Sequence, residues 1–308
     1  MRNITIKTLF GAVLSLLVTF GLTHSAAAQT AAARIAFSAP VTVRKMHETY
    51  EQIFSMNSFG SDVAQLTSAS ANSYYPAWSP GQRYIAFVRG GILYVMEASG
   101  EANGGRTFTV GPATGSGADW SPDGSMIVFV GTSDMGNGLW TVGVNADTGE
   151  VGTPTRVSEG YCSTPSWSPD GSKIAFAFLD PPGPMVKVLD LTTGAEFSID
   201  SVYCNTPSWN PDGSRIAFMS VAPFTTTKGH TTTTTWYYEI FTANADGSAI
   251  TQVTSLQTDL VGFPKWSDDA TEVAFRNKVS GTDWIYKVTL ATGAVTSLSK
   301  GDTLDWAP

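Results

Sequence analysis

The sequence is poor in charge, cysteine and histidine. Only 14% of its 308 residues are charged, against about 25% in typical soluble proteins, and it holds two cysteines and three histidines. Acidic residues outnumber basic ones by 26 to 18, which gives a formal net charge of −8. Nucleic acids and anionic membrane surfaces bind basic patches, so we expect neither as a partner. A zinc cage lacks ligands in such a chain, and we expect no metal and no cofactor.

Long apolar runs are also missing beyond the first few dozen residues. Residues 2–7 carry a short positive region, residues 9–22 are apolar, and small residues at 26–28 follow. This is the layout of a secretory signal peptide, whereas a membrane anchor needs about 20 apolar residues. We therefore expect residues 1–28 to be a signal peptide cut after Ala28, with no stable membrane insertion afterwards. The protein would then be periplasmic or secreted, and the sequence does not separate these two.

The most informative feature that is present is a tryptophan repeat. Six tryptophans recur at intervals of 40 to 57 residues, and five of them lie seven residues before an apolar triplet such as Ile-Ala-Phe. These five are Trp78, Trp120, Trp167, Trp209 and Trp266. The sixth, Trp306, has no triplet after it, but Ile35-Ala36-Phe37 stands unaccompanied near the start. A split repeat of this kind predicts a ring in which the last strand completes the first unit.

Each copy is predicted to form four short strands. After Trp167, the segment Ser168-Pro169-Asp170-Gly171 fits a type I turn, and strands are expected over 173–178, 185–190 and 196–199. No segment after residue 28 has a convincing helical period. We therefore predict an all-β protein, with residues 29–308 forming one six-bladed β-propeller of four antiparallel strands per blade.

The clearest copy reads Trp-Ser-Pro-Asp-Gly at residues 120–124, and 167–171 repeats it. This motif, with its following Ile-Ala-Phe strand, resembles the repeat of TolB-like β-propellers, which are relatives of WD-repeat proteins. The resemblance covers essentially all of residues 29–308. It implies the propeller part of that family only, since we expect no counterpart of the α/β domain that TolB carries ahead of its propeller.

Four antiparallel strands, A to D, place the A–B and C–D turns at one end of a blade, here called the turn end. The B–C loops and D–A connections lie at the other, here called the loop end. Both long insertions, residues 38–52 and 219–239, fall at the loop end, and variable loops on a rigid scaffold are where binding usually occurs. The candidate binding residues are Lys45, His47, Lys228, His230, Trp236 and Tyr237 in the insertions, and Tyr74, Tyr75, Tyr161, Tyr203, Asp259, Phe263 and Asp302 in the D–A connections.

Two other interpretations of this end stay open at the level of sequence. The insertions could be solvated decoration, with part of the threonine run extending strands B and C as a hairpin. The aromatic residues could be lids that close the central channel rather than contact anchors.

Two residue pairs predict structural links. Cys162 and Cys204 each lie five residues before a repeat tryptophan in successive blades, so an exported protein is expected to join them in a disulfide. Two free thiols or a metal site are the alternatives. Lys265 and Asp305 each immediately precede a repeat tryptophan in neighbouring blades, and we expect them to pair across the blade interface.

The sequence does not establish an activity, and it favours a protein that is not an enzyme. Asp123, Asp170 and Asp212 recur at one turn position, which indicates a structural role, and Ser/His/Asp catalysis would depend on His47 or His230 in loops. We therefore expect an exported, monomeric binding module that engages a protein partner of the cell envelope. The alternatives are a carbohydrate-binding or carbohydrate-processing propeller, and a structural surface protein without a discrete site.

Overall fold

The computed structural model describes residues 34–43, 47–113, 117–131, 136–181, 183–199, 203–258 and 260–307. Nearly all regular structure in these ranges is β-strand, apart from one short 3-10 helix at Glu101–Asn103. Within the same ranges, no helix has the length and hydropathy needed to cross a bilayer.

The strands form six antiparallel sheets, the blades of a propeller. Blade 1 contains β1 (Arg34–Val43), β2 (Glu48–Asn57) and β3 (Ala64–Gln65). Blade 2 contains β4 (Ser73–Trp78), β5 (Tyr84–Arg89), β6 (Ile92–Glu97) and β7 (Thr107–Pro112). Blade 3 contains β8 (Ala118–Trp120), β9 (Met126–Val130), β10 (Gly138–Asn145), β11 (Glu150–Val151) and β12 (Thr155–Glu159). In blade 3, β11 and β12 both pair with β10, which makes that sheet five-stranded.

The remaining blades each have four strands. Blade 4 contains β13 (Cys162–Trp167), β14 (Lys173–Phe178), β15 (Met185–Asp190) and β16 (Glu196–Ser198). Blade 5 contains β17 (Asn205–Trp209), β18 (Arg215–Lys228), β19 (Thr231–Asn244) and β20 (Thr251–Gln252). Blade 6 contains β21 (Leu260–Trp266), β22 (Glu272–Val279), β23 (Thr282–Thr289) and β24 (Ala294–Lys300). The predicted six-bladed propeller is confirmed, and the boundaries predicted for blade 4 agree with the structure to within two residues.

The last strand closes the ring as the split repeat predicts. β25 (Leu304–Trp306) pairs antiparallel with β1 and places Trp306 opposite Ile35. The backbone N–H of Ser38 donates to the carbonyl of Thr303 at 2.9 Å, and the hydroxyl oxygens of the same two residues lie 3.0 Å apart. Blade 1 is therefore assembled from the two ends of the described chain.

The Ile-Ala-Phe pattern follows from packing between blades. Side chains alternate across a strand, so Ile174 and Phe176 of β14 face blade 3, whereas Ala175 faces blade 5. Trp209 belongs to the same buried cluster as Ala175. The small residue thus leaves room for the tryptophan of the next blade, which explains why large and small residues alternate in this order.

The Ser-Pro-Asp-Gly turn is held by its own side chains. Ser168 Oγ donates to Asp170 Oδ1 at 2.6 Å and accepts from the Lys173 N–H at 2.8 Å. Gly171 has a φ of 75°, a conformation that side chains disfavour. Hydrogen bonds from Ser168 and from Ser172 lower the pKa of Asp170 to about 2, so this carboxylate stabilises the turn.

Both insertions form hairpins that extend strands B and C. In blade 5, β18 and β19 remain paired from Arg215–Asn244 out to Lys228–Thr231, and every residue from 223 to 236 is exposed. We call residues 223–236 the ribbon. It extends roughly 20 Å past the point where its strands become exposed, at about 3.4 Å per residue.

Candidate functional site

An apolar cavity of the channel lies at the turn end. It measures about 280 Å³ and is lined by all six repeat tryptophans, together with prolines of the A–B turns. The lining tryptophans are Trp78, Trp120, Trp167, Trp209, Trp266 and Trp306. We did not predict a site here, although six equivalent tryptophans in a ring are the signal that could have indicated it.

Three charged side chains also line this cavity, each directly before a repeat tryptophan. Lys265 Nζ is 2.9 Å from Asp305 Oδ1, which confirms the predicted pair between blades 6 and 1. The other oxygen of Asp305 accepts the backbone N–H of Trp78 at 2.7 Å. Burial opposes the charge on Lys265, but Asp305 and Asp119 outweigh it and raise the pKa of the lysine. This group therefore links three blades electrostatically.

Asp119 is the third member of the group. Its two oxygens accept the N–H groups of Trp120 at 3.0 Å and Trp167 at 2.7 Å. Burial raises the pKa of Asp119 to about 6, Asp305 adds to the effect, and Lys265 opposes it. A carboxyl group inside the channel thus titrates in the mildly acidic range.

The loop end of the channel has a narrower mouth. Its lining includes the residue three positions before each repeat tryptophan, around a cavity of only about 40 Å³. These six residues are Tyr75, Gly117, Thr164, Thr206, Phe263 and Thr303. Lys265 lines both this cavity and the tryptophan cavity, so the two belong to one channel.

The backbone at this mouth repeats an unusual conformation. Tyr75, Thr164, Thr206 and Phe263 have φ values of 45° to 54°, in the left-handed region that costs a non-glycine residue roughly 1–2 kcal/mol. The N–H of Phe263 donates to Thr206 Oγ1 at 3.2 Å, in the preceding blade. The N–H of Tyr75 donates in the same way to Thr303 Oγ1 at 2.9 Å. The mouth is therefore held by contacts between blades.

The structure brings together several of the predicted mouth residues. The rings of Tyr74 and Tyr75 lie 6.1 Å apart, and those of Tyr75 and Phe263 lie 6.0 Å apart. The guanidinium of Arg276, which we did not predict, lies 5.9 Å from the Phe263 ring centre. Arg276 Nε is also 3.0 Å from Asp302 Oδ1. Tyr74, Tyr75, Phe263 and Asp302 thus form one cluster.

Asp302 also borders a neighbouring cleft of about 220 Å³ between blades 1 and 6. Glu51 and Asp283 line the same cleft. Burial raises the pKa of Asp302, and burial with the charges of Asp302 and Asp283 raises that of Glu51. Neither Glu51 nor Asp283 was singled out from the sequence, because strands far apart in the chain bring them together.

The other predicted residues lie farther out on the loop end. Tyr161 and Tyr203 are 60% and 54% exposed. Lys228 and His230 flank the glycine at the tip of the ribbon, Trp236 and Tyr237 lie near its base, and His47 lies in the turn region between β1 and β2. Lys45 and Asp259 lie outside the described residues.

The predicted disulfide is wrong. Cys162 and Cys204 are both buried and are not bonded to each other. Cys162 packs with Val128 and Leu139 of blade 3, whereas Cys204 packs with Val186 on the other side of the blade 4 sheet. Equivalent positions in successive blades point into successive interfaces, so a whole sheet separates the two thiols.

No group of three or more His, Cys, Asp or Glu side chains suited to a metal ion occurs among the described residues. The chemistry of the site, as far as the structure describes it, is that of an aromatic channel with a charged centre. Such an arrangement can hold a ligand, but it does not by itself specify a reaction.

A family model decides the relationship of this chain to known proteins. The model of the TolB β-propeller domain matches residues 154–308, which is half of the chain. The chain belongs to this family. No curated protein matches it in sequence.

Solved structures show the same fold at low sequence identity. TolB from Acinetobacter baumannii has a TM-score of 0.67 and 17% identity, over 90% of this chain and 67% of that one. A chain from Agrobacterium tumefaciens assigned to TolB gives 0.65 and 17%, over 90% and 98%. An oligogalacturonate lyase in complex with manganese gives 0.54 and 16%, over 82% and 72%. Since this last protein is an enzyme, similarity of fold does not decide function.

Proposed function

We propose that this chain is an exported, non-enzymatic binding module that holds a protein partner of the cell envelope at its loop end. The main support for this proposal is the distribution of exposed apolar side chains over the surface. Five of the nine exposed large hydrophobic side chains in the described chain lie at the loop end of blades 4 and 5. They are Tyr161, Leu179, Tyr203, Phe224 and Trp236.

Tyr161, Leu179 and Tyr203, all at the loop end of blade 4, are called the loop-end patch. The Leu179 N–H donates to the carbonyl of Tyr161 at 2.7 Å, and the ring of Tyr203 approaches Gly183 in the B–C loop. Tyrosine is enriched among residues that dominate binding energy at protein interfaces, and charged residues are depleted from interface cores. This composition supports a protein partner.

The partner's contact would extend from the loop-end patch toward the aromatic mouth at Tyr75 and Phe263. Left-handed backbone is often found at functional sites, where the surrounding structure holds it in place. The mouth is too narrow for more than a small group, at about 40 Å³. We therefore expect the partner to cover the mouth rather than to thread the channel.

Capture from an envelope extract tests this proposal. The double variant Tyr161→Ser, Tyr203→Ser removes the centre of the loop-end patch. The matched control, Phe59→Ser with Ile250→Ser, removes two exposed apolar side chains, at 79% and 37%, from C–D turns at the opposite end. The expected result is a protein held by the unmodified chain and by the control but lost by the double variant.

The captured protein, once purified, should bind the unmodified chain and the control with similar affinity and the double variant more weakly. Truncating two interface anchors is expected to weaken affinity by about 30-fold or more, at about 1–2 kcal/mol each. Equal binding by both variants would contradict the loop-end proposal. Binding of an oligosaccharide instead of a protein, lost in the same double variant, would favour the carbohydrate alternative.

Export has its own test. Residues 1–28 support a cleaved signal peptide, so the mature chain in the periplasm or medium should begin at Gln29. N-terminal sequencing of the protein from each fraction measures this directly. A chain that retains residues 1–28 in the cytoplasm would contradict export without bearing on the fold.

A further inference from the structure

We infer that the outer edge of β19 in the ribbon is a docking edge for a second copy of this chain, which adds its own β19 antiparallel to it. This inference goes beyond the proposed function and does not depend on the loop-end patch. It rests on which backbone groups of the ribbon point outward, on what covers them, and on which side chains flank them.

The direction of the backbone groups is fixed at the base of the ribbon. The N–H of Ile240 donates to Thr254 Oγ1 at 2.9 Å, and its carbonyl accepts from Val253 at 2.7 Å. Both groups of Ile240 therefore point away from β18. In an antiparallel pair this direction alternates residue by residue, so the groups of Thr232, Thr234 and Trp236 also point outward.

No described residue pairs with this edge beyond the base. β20 pairs with β19 only at Phe241 and Thr242, and β17 reaches no farther along β18 than Met219. Exposed, unpaired strand edges are sites where another strand can add. The three outward positions of β19 thus form an accessible hydrogen-bonding edge.

The other edge of the ribbon is blocked. Met219 is paired with Ile240, so its backbone groups also point outward. The same holds for every second residue of β18 after it, which includes Pro223, Thr225 and Thr227. Pro223 has no N–H to donate, and proline on an edge strand is a common protection against further pairing. Only β19 therefore offers an uninterrupted edge.

The second long hairpin shows how this fold covers an edge. In β2, the outward N–H of Glu51 donates to Asn72 Oδ1 at 2.9 Å, and charged Glu48 stands farther along the same strand. No described side chain caps the outward backbone groups of Thr232, Thr234 or Trp236, and residues 231–238 include no Asp, Glu, Lys or Arg. Charge is the usual protection of edge strands, and its absence here distinguishes the ribbon from the hairpin of blade 1.

A second copy fits this edge in register. With Thr234 opposite its own symmetry mate, Thr232 of each copy stands opposite Trp236 of the other, and every outward position meets an outward position. Three hydrogen-bonded pairs would form, with no like charges opposed and with the 60% exposed Trp236 covered by a threonine. The two-stranded ribbon would become part of a four-stranded sheet, and isolated two-stranded sheets are marginal in water.

The length of the ribbon makes this pairing compatible with the acidity of the chain. Two bodies with a formal charge of −8 each repel one another at contact. Projection of each ribbon by roughly 20 Å separates the bodies by more than the Debye length of about 8 Å at physiological salt. Pairing by the ribbons therefore avoids most of that repulsion.

Sedimentation equilibrium on the purified chain, with whatever N-terminal processing its host performs, tests the inference. Thr225 and Thr234 are cross-strand partners on opposite edges, which gives matched variants. Thr234→Pro removes an outward donor from β19 and should weaken dimerisation by about 30-fold, for two lost hydrogen bonds at roughly 1 kcal/mol each. Thr225→Pro makes the same exchange on the edge of β18 and should leave the dimer intact.

Amide exchange gives a readout that needs no variant. The N–H groups of Thr232, Thr234 and Trp236 should exchange slowly in concentrated protein and quickly after dilution. Those of Thr233 and Thr235 point toward β18 and should be protected in both conditions. A chain that stays monomeric at about 100 μM would overturn the inference. So would a dimer that is equally sensitive to both proline variants.

Discussion

The ammonium group of Lys265 lies 2.9 Å from the carboxylate of Asp305, in the innermost strands of blades 6 and 1. Asp305 also accepts the backbone N–H of Trp78 in blade 2. One carboxylate therefore connects three successive blades at the point where the two ends of the described chain meet. Removing the lysine would leave this carboxylate, and Asp119 nearby, without a cation in a largely buried channel.

Lys265→Met should consequently lower the free energy of unfolding by about 3–5 kcal/mol, the usual effect of breaking a buried pair from one side. Arg83→Met is the matched control, since its pair with Asp147 is 2.9 Å long but about two thirds exposed. Exposed pairs contribute about 0–1 kcal/mol. Urea denaturation measures both variants, and similar losses in the two would contradict a structural role for the buried pair.

Ring closure predicts unequal effects for two tryptophans. Trp306→Ala removes a side chain that is 5% exposed from the closing strand and should cost about 3–5 kcal/mol. Trp236→Ala changes a residue that is 60% exposed and should cost less than about 0.5 kcal/mol in dilute protein. Deletion of residues 303–308 should lower the thermal midpoint further than Trp306→Ala does. A midpoint unchanged by the deletion would show that the ring does not need its last strand.

The raised pKa of Asp119 predicts a pH dependence of stability. Its value of about 6 in the folded protein exceeds the ordinary 3.8, so the folded state holds this proton more tightly than the unfolded state. The resulting stabilisation is complete below about pH 4 and is lost as the pH rises through 6, by about 2–3 kcal/mol. Asp119→Asn should therefore match the unmodified chain at pH 4 and exceed it in stability at pH 7.5.

Asp170→Asn provides the control of opposite sign. Hydrogen bonds from Ser168 and Ser172 lower the pKa of Asp170, so its stabilisation is present above pH 4 and is lost as the pH falls toward 2. This variant should be the less stable one at neutral pH, and its deficit should shrink on acidification. Parallel pH profiles for the Asp119 and Asp170 variants would contradict both assignments.

The buried thiols should be reduced yet slow to react. Burial raises the pKa of Cys162 to about 12, and only a thiolate is an effective nucleophile. Iodoacetamide should therefore add little mass to the folded protein. In denaturant without a reductant, both cysteines should be alkylated. A mass that increases only after reduction would restore the disulfide that the structure rejects.

The fold could be predicted from the sequence because its determinants are local and repeated. The turn after Trp167 is specified by four adjacent residues, and the alternation around Ala175 follows from strand geometry. The prediction of a disulfide was wrong because of the geometry of the repeat. Equivalence between Cys162 and Cys204 was taken as proximity, whereas equivalent side chains of a propeller point into different interfaces.

The candidate site could be predicted only in part. The sequence placed Tyr75 and Phe263 at a channel mouth because both were assigned to D–A connections. The structure places them in β4 and β21, with their ring centres 6.0 Å apart. It did not reveal the tryptophan cavity or the raised pKa of Asp119. Both depend on side chains from several blades that converge on one axis, and no single segment of sequence contains that arrangement.

One repeated position at the loop-end mouth sets the size of the opening. Blades 2 to 6 each have a positive φ three residues before the tryptophan, whether the residue there is Tyr75, Thr164 or Gly117. The scaffold thus accepts a phenol ring, a hydroxyl or nothing at one repeated position. A family built on this frame can widen or narrow its aperture by single substitutions, one blade at a time, without redesigning the strands that support it.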